Sequence, residues 1–386
     1  MSSPSTSSEN SQFTTPASSL ASPLLSPKPK VLLIGDFCGI PKYDNLIREI
    51  ADVHTMPRCG YTETAALIKQ KVEEEGDFGL FVITDDFPSL WDAGLLSPLL
   101  PACRLFVGPG AGYDKVDIPY LSSHGALYAN SPRAVGERTA DGALGLVLAA
   151  ARGIVRYDIG VRSGGWRDVG VKSVDWRNAH IGIVGLGAIG HRLSTLLTSL
   201  SSTLQIHYHS RHPSSSPLPP SYTYHPTLSS LLPVVDILLL TCPLTQATEG
   251  IIGKEAFQQM KDGVIVVNVS RGKVIVEDEL VKALESGKVL RAALDVFENE
   301  PKVHPGLLSN PNVTLSPHVA PAPDAMGPAL NAEVLENIIH YLQSPQSPQS
   351  PQSPSASAFG LPLTPVNVDQ VEALGFKTGA RREVYE

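Results

Sequence analysis

The run HIGIVGLGAIGHRLSTLLTSL, residues 180–200, constrains this chain more than any other stretch. A short apolar run, glycines spaced G-x-G-x-x-G and an amphipathic stretch predict a buried strand, a tight turn and a helix in direct succession. Each glycine has a physical reason. Gly185 permits the turn, Gly187 lets a pyrophosphate approach the backbone, and Gly190 lets the helix lie close to the strand. The first helical turn, from Ala188 and Ile189 onward, faces the phosphates with its free N–H groups and the positive end of its dipole. Glycine-rich turns are common, and the strand before and helix after are what make this one a dinucleotide site.

Strand-like and helix-like segments alternate on both sides of this motif. KVLLIGDF (30–37), LFVIT (80–84) and RLFVGPG (104–110) read as buried strands, each followed by a turn or helix. ERTADGALGLVLAAARGIVRY (137–157) reads as one long helix, apolar enough to be buried between two lobes. After the glycine motif come LQIHYH, DILLLT (236–241), GVIVVNVS (263–270), RAALDV (291–296) and NVTLSP (312–317), with a helix over 277–287. The fold class is α/β, with a parallel sheet in the first unit and a doubly wound sheet carrying the dinucleotide turn in the second. LNAEVLENIIHYL (330–342) predicts a last helix that leaves the second unit and returns to the first.

These segments divide the chain into a first lobe over 28–130, a dinucleotide-binding lobe over 131–322, a returning helix over 323–342 and a C-terminal end of the first lobe over 359–386. A chain of 386 residues has room for two such lobes. Residues 1–27, rich in Ser, Thr and Pro, read as a disordered tail, and the QSP repeat within 343–358 as a low-complexity insert. A net charge of −8 argues against nucleic acid as a partner. There is no run of 18 apolar residues to cross a membrane, nor a secretory leader. Cys38, Cys59, Cys103 and Cys242 are scattered without metal-ligand spacing. They read as reduced thiols of a cytoplasmic protein that holds no metal.

In an open parallel sheet, ligands sit beyond the carboxyl ends of the strands. Reading those ends in order gives Gly185, Cys242 with Pro243, Ser270 with Arg271, Asp295 with Glu298 and Glu300, and His318. Singly, each has an ordinary structural explanation; together they put an arginine, carboxylates and a histidine on one edge. A second feature is an absence. An NAD site usually carries an acid about 20 residues after the glycines, where it grips the ribose hydroxyls. Here the stretch reads His209, Ser210, Arg211, His212. A hydroxyl and a guanidinium suit a 2′-phosphate, so NADP(H) is the expected coenzyme and NAD(H) the alternative.

The segments VNVSRGKVIVEDELVKALESGKVLRAALDVFENEP with NVTLSPH, VGPGAGYDKVDI (107–118), TADGALGLVLAAAR (139–152), IGIVGLGAIG and CPLTQAT (242–248) resemble the D-isomer-specific 2-hydroxyacid dehydrogenases, most of all the glyoxylate/hydroxypyruvate reductase branch. The resemblance spans about 30–342 and resumes at LPLTPVN (361–367). It implies a homodimer in which a flavodoxin-like substrate lobe and a Rossmann lobe close over a small 2-oxo or 2-hydroxy acid. By the same resemblance, Arg271 binds the substrate carboxylate and the reacting oxygen, His318 is the acid/base, and Glu300 is its carboxylate partner. Asp295 meets the nicotinamide amide, and the backbone at Ala111 and Gly112 holds the substrate carboxylate. Thr139, Cys242, Pro243, Thr248 and Val269 fall at coenzyme-contacting positions.

The residue types suit reduction of a 2-oxo acid. An arginine can fork onto a carboxylate and stabilise a developing alkoxide, and a histidine oriented by a carboxylate can deliver a proton near neutral pH. A reading of another class is a dinucleotide-binding corepressor-like scaffold without turnover. Formate dehydrogenases are similar but place glutamine where Glu300 stands, and phosphoglycerate dehydrogenases carry a regulatory domain that the remaining tail cannot hold. The chain departs from the family pattern at HVAPAPDAM (318–326), where prolines replace a glycine-bearing loop, at Asp141, and in the QSP insert.

Overall fold

A computed structural model describes residues 28–36, 41–83, 90–168, 170–215, 217–321, 323–343 and 362–375. The N-terminal tail and the QSP insert lie outside the described residues.

The first sheet holds five strands: β1 (Lys30–Ile34), β2 (Asp52–Met56), β3 (Leu80–Ile83), β4 (Leu105–Val107) and β5 (Leu127–Ala129). All pair in parallel, in the order β2-β1-β3-β4-β5, which is the flavodoxin-like arrangement. The second sheet holds seven: β6 (His180–Val184), β7 (Gln205–His209), β8 (Tyr222–Tyr224), β9 (Ile237–Leu240), β10 (Val264–Asn268), β11 (Val289–Leu294) and β12 (Val313–Leu315). They also pair in parallel, ordered β12-β11-β10-β9-β6-β7-β8. Both sheets are covered on two faces, so their central strands are buried: β3, β9 and β10 bury every residue, and all but Asn268 at the end of β10 are apolar.

The second sheet winds outward from β6, first to β7 and β8, then back to β9 on its other side. The switch point where ligands bind in such sheets therefore lies between the ends of β6 and β9. There the backbone is tight: Gly185 has a left-handed φ of 97°, and a Cβ on it would stand 2.6 Å from the Cα of Cys242. A Cβ on Gly190 would stand 2.4 Å from the Gly185 carbonyl oxygen, which is why the helix Ala188–Leu200 can descend onto β6.

The helix expected over 137–157 is instead two. The long helix runs Pro132–Arg152, starting from Ser131 with proline in its first turn. It stops at Gly153, whose left-handed φ of 65° returns its N–H to the Ala149 and Ala150 carbonyls. A second helix, Ile154–Arg162, departs from there. The apolar run crosses that glycine, so periodicity alone ran the two together. The last helix begins at Pro323, seven residues ahead of the stretch whose periodicity marked it, and carries Pro328 inside it. It buries Val334, Leu335, Ile338 and Tyr341 in one cluster with Val31, Leu33, Leu80 and Leu105 of the first sheet. Its Glu333, buried, accepts from the N–H groups of Arg133 and Ala134 at 3.2 and 2.7 Å, capping the long helix.

Candidate active site

The parallel strands of the second sheet all end on one edge, and the turns beyond them carry the site. After β10, Asn268 shapes the turn: its Oδ1 accepts from the Ser270 N–H and Oγ at 3.0 and 2.8 Å, and its Nδ2 donates to the Arg271 carbonyl at 3.0 Å. Arg271 thereby projects towards the first lobe. Its Nε donates to Asp114 Oδ1 at 2.9 Å and its Nη1 to the Ser270 carbonyl at 2.8 Å. Gly112 is pressed against the same guanidinium; a Cβ there would stand 1.8 Å from Nη2. The loop after β4 and the turn after β10 thus meet, bringing Ala111 and Gly112 to Arg271. The Ala111 carbonyl accepts from Asn130 Nδ2 at 2.8 Å, which fixes the loop from behind.

After β11, Asp295 is 1% exposed and both its oxygens are used. Oδ1 accepts from Ser316 Oγ at 2.6 Å and from the Val319 N–H at 2.9 Å, and Oδ2 accepts from the Ala320 N–H at 2.9 Å. This carboxylate organises the loop that bears His318. The His318 N–H donates to the Asp295 carbonyl at 2.7 Å, and the residue adopts a left-handed φ of 58°. The long helix supports the loop from the other side, where a Cβ on Gly142 would stand 2.5 Å from the Ala320 carbonyl oxygen.

His318 Nδ1 lies 3.0 Å from Glu300 Oε2. A carboxylate only accepts, so Nδ1 carries the hydrogen and Nε2 is the nitrogen left to face a substrate. Glu300 Oε1 accepts from the Phe297 N–H at 3.0 Å. Burial pushes the Glu300 carboxyl up, but the bonds from His318 and the Phe297 N–H, with the charges of His318 and Arg271, outweigh it. Glu300 is held below its ordinary value and is ionised at neutral pH.

The dinucleotide side is equally specific. A Cβ on Gly187 would meet no protein atom, so the space over the start of the helix Ala188–Leu200 is open. Ala188 is exposed there, Ile189 half-buried, and Gly190 buried against β6. Thr139, on the long helix, is 3% exposed, and its hydroxyl has no partner among the described residues. An open glycine turn at a helix start and an orphaned buried hydroxyl fit a nicotinamide dinucleotide. Cys242 and Val269 are buried under the turn, and burial pushes the Cys242 thiol up to about 11. Thr248 Oγ1 donates to the Pro243 carbonyl at 2.6 Å and closes the loop after β9. At the end of β7, the His209 carbonyl accepts from the Gly185 N–H at 2.8 Å. Ser210 Oγ donates to the His212 carbonyl at 2.5 Å, and Arg211 is exposed.

Two acids beside this site escaped sequence reading. Asp114 lies two residues after Gly112 in GAGYDKVD, and only its place next to a glycine loop could have marked it. Glu277 is buried at a helix start and signals nothing by itself. No set of three or more His, Cys, Asp or Glu side chains suited to a metal ion occurs among the described residues. No helix among them is long and apolar enough to cross a membrane.

Residues 144–320 match the model of the D-isomer specific 2-hydroxyacid dehydrogenase NAD binding domain. The chain is 34% identical over 295 residues to 4-methyl-2-oxopentanoate reductase A of Aspergillus oryzae, covering 75% of this chain and 88% of that protein. Its structure is similar to that of a glyoxylate reductase from Paecilomyes thermophila, with a TM-score of 0.73 and 30% identity over 83% of this chain and 97% of that one. It is also similar to an NADPH-dependent glyoxylate/hydroxypyruvate reductase from Sinorhizobium meliloti in complex with NADP and malonate, with a TM-score of 0.68 and 28% identity over 88% and 97%. A doubly wound sheet with a dinucleotide turn, and the extent of these matches, lead to one conclusion: this chain belongs to the D-isomer specific 2-hydroxyacid dehydrogenases, and is an NAD(P)-dependent oxidoreductase of that family.

Proposed function

We propose that the chain reduces a small 2-oxo acid of the glyoxylate or hydroxypyruvate kind to the D-2-hydroxy acid, with NADPH preferred to NADH. The observation that carries this reading is the His318–Glu300 pair, 3.0 Å apart, on the edge of the sheet that also presents Arg271 and the glycine turn. Arg271 has its Nε on Asp114 and one Nη1 hydrogen on Ser270, which leaves its outer Nη1 and Nη2 hydrogens to fork onto a carboxylate. The loop at Ala111 and Gly112, with Gly112 packed against the same guanidinium, would complete the carboxylate seat with its backbone N–H groups. When bound, the reduced nicotinamide supplies a hydride to the carbonyl carbon. His318 gives its Nε2 proton to the carbonyl oxygen, Arg271 stabilises the charge building there, and Glu300 stabilises the imidazolium beforehand.

Gly185, Gly187, Ala188, Ile189 and Gly190 would hold the pyrophosphate, with Thr139, Cys242, Pro243, Thr248, Val269 and Asp295 around the rest of the coenzyme. Ser210 and Arg211 would take the 2′-phosphate. The absence of an acid over 209–212 supports this, since a carboxylate there would repel a phosphate. We also read 28–130 with 323–342 and 359–386 as the substrate lobe, 131–322 as the coenzyme lobe, and the working unit as a homodimer in the cytoplasm, where the free Cys59, Cys103 and Cys242 stay reduced.

The test is steady-state turnover of a panel of 2-oxo acids, including 4-methyl-2-oxopentanoate, with each coenzyme. NADPH should give the higher kcat/KM. A charge-assisted contact is worth about 1.5–3 kcal/mol, so Arg211→Ala should lower kcat/KM for NADPH by about 10- to 100-fold and leave NADH nearly unchanged. Wild-type preference for NADH, or unchanged NADPH kinetics in the variant, overturns the coenzyme assignment.

A further inference from the structure

Glu300 stands at the end of the loop 297–300, where Asn299 and Glu300 itself are exposed. Two residues from the segment after Arg271 clamp that loop. Gly272 lies so close that a Cβ there would stand 1.8 Å from the Phe297 carbonyl carbon and 2.3 Å from the Glu298 nitrogen. Glu277, the first residue of the helix Glu277–Glu285, is 4% exposed, and its Oε1 accepts from the Glu298 N–H at 2.9 Å. The Phe297–Glu298 peptide is therefore gripped from both ends of the turn that starts at Arg271. One bond further on, the Phe297 N–H donates to Glu300 Oε1, and Glu300 Oε2 accepts from His318.

We propose that Glu277 is a positioning residue for the reduction: by fixing the Phe297–Glu298 peptide, it keeps the Phe297 N–H where it aims the Glu300 carboxylate at His318. The inference rests on the reading of His318 and Glu300 as the acid/base pair. A buried carboxyl is a costly way to fill a core position. Burial pushes the Glu277 carboxyl up, against the bond from the Glu298 N–H and the neighbouring His304; the charges of Glu298 and Asp278 add to the rise. An apolar side chain would fill the space without that cost. What it cannot do is accept the Glu298 N–H, and that acceptor is the property the loop uses. The adjacent Asp278 is engaged elsewhere, with His304 Nε2 at 3.0 Å, so it does not substitute.

The experiment is a double-mutant cycle. Glu277→Ala, Glu300→Ala and the double variant are compared with wild type for kcat, oxo-acid KM, coenzyme Kd and Tm. If Glu277 acts through Glu300, Glu277→Ala lowers kcat about tenfold, a part of the about 10²- to 10⁴-fold that general acid catalysis supplies, while coenzyme Kd holds. In the Glu300→Ala background the same change should lower kcat by no more than about twofold, because the two residues form one unit. Glu277→Gln keeps the acceptor and should restore most of kcat. Glu277→Met fills the volume without an acceptor, and carries the test if the alanine variant does not fold. Equal losses in both backgrounds, or wild-type kcat in folded Glu277→Ala or Glu277→Met, overturn the inference. The underlying reading fails separately: it falls if His318→Ala keeps wild-type kcat, whatever the Glu277 variants do.

Discussion

His318 is the one residue other than glycine with a left-handed backbone among the described residues. Such a conformation costs about 1–3 kcal/mol and persists only where its surroundings over-determine it. Here Asp295 supplies them, with its carbonyl on the His318 N–H and its carboxylate on the next two N–H groups. The geometry aims the ring at Glu300, and a plain loop histidine would not need it. We therefore expect His318→Ala to lower reduction by about 10²- to 10⁴-fold while coenzyme affinity stays near wild type, read by turnover and by coenzyme fluorescence titration. Near-normal turnover at neutral pH would remove His318 from the chemistry. Arg271, Glu300 and His318 were legible in the sequence because each is a chemically distinctive residue at a strand end. Asp114 and Glu277 were not. Asp114 acts on a residue 157 positions away and Glu277 on one 21 away, and an acid in a loop or at a helix start looks the same whether or not it has such a partner.

The element that best shows how local pattern and function diverge is β7, QIHYH. Its alternation predicts a strand ending at a coenzyme site, and Ile206 and Tyr208 do bury on one face. The other face carries histidines that form a ladder from β6 through β7 to His225, the residue that follows β8. His180 Nδ1 meets His207 Nε2 at 2.8 Å, His207 Nδ1 meets His225 Nε2 at 3.0 Å, and His209 Nδ1 donates to the His225 carbonyl at 2.9 Å. Burial first, then the charges of His180, His225 and Lys261, lower the His207 pKa to about 4, with Asp236 opposing; His225 is lowered too, chiefly by burial. A histidine lowered on folding takes up its proton more readily when unfolded. Its neutral form stabilises the fold fully above the unfolded value of about 6.5, and that contribution is lost as pH falls towards 4. Urea midpoints should therefore drop between pH 7 and 5, and His207→Gln should flatten the drop; equal slopes would mean the ladder does not titrate with unfolding. Neither β8 nor the ladder was legible, since β8 has three residues and its neighbours in the ladder come from 180 and 207. β2 and β5 escaped as well. DVHTM on a sheet edge has no clean alternation, and LYA is too short to show a period.

At the scale of the whole molecule, the two sheets are joined by the long helix and the returning helix, and Arg271 with Asp114 bridges them across the cleft. One surface is left over. The helix Ile154–Arg162 buries none of its residues, and Ile154, Ile159 and Val161 are exposed on it. Trp166, just beyond, is 85% exposed. Apolar side chains clustered on one helix, with a tryptophan beside them, are unusual on a monomer surface and common where copies meet. The long helix ends at Gly153 and redirects the chain outward here, although the apolar run continues through the break. That is why the sequence suggested one buried helix where the molecule has a buried helix and a projecting one. A second copy of the chain is the occupant proposed, in keeping with the homodimer read for the working unit. Sedimentation should give twice the mass calculated for one chain. Tyr157 and Arg162 sit among the apolar residues, so charge placed at the tryptophan should be more disruptive than truncation. Trp166→Glu with Ile159→Glu should weaken association by at least about thirtyfold, since truncating a central aromatic anchor alone costs about 2 kcal/mol or more. The folded monomer should keep its far-ultraviolet dichroism, because neither side chain contributes to a core. A wild-type protein that sediments as a monomer at micromolar concentration, or a double variant that remains dimeric, would assign this helix to some other role.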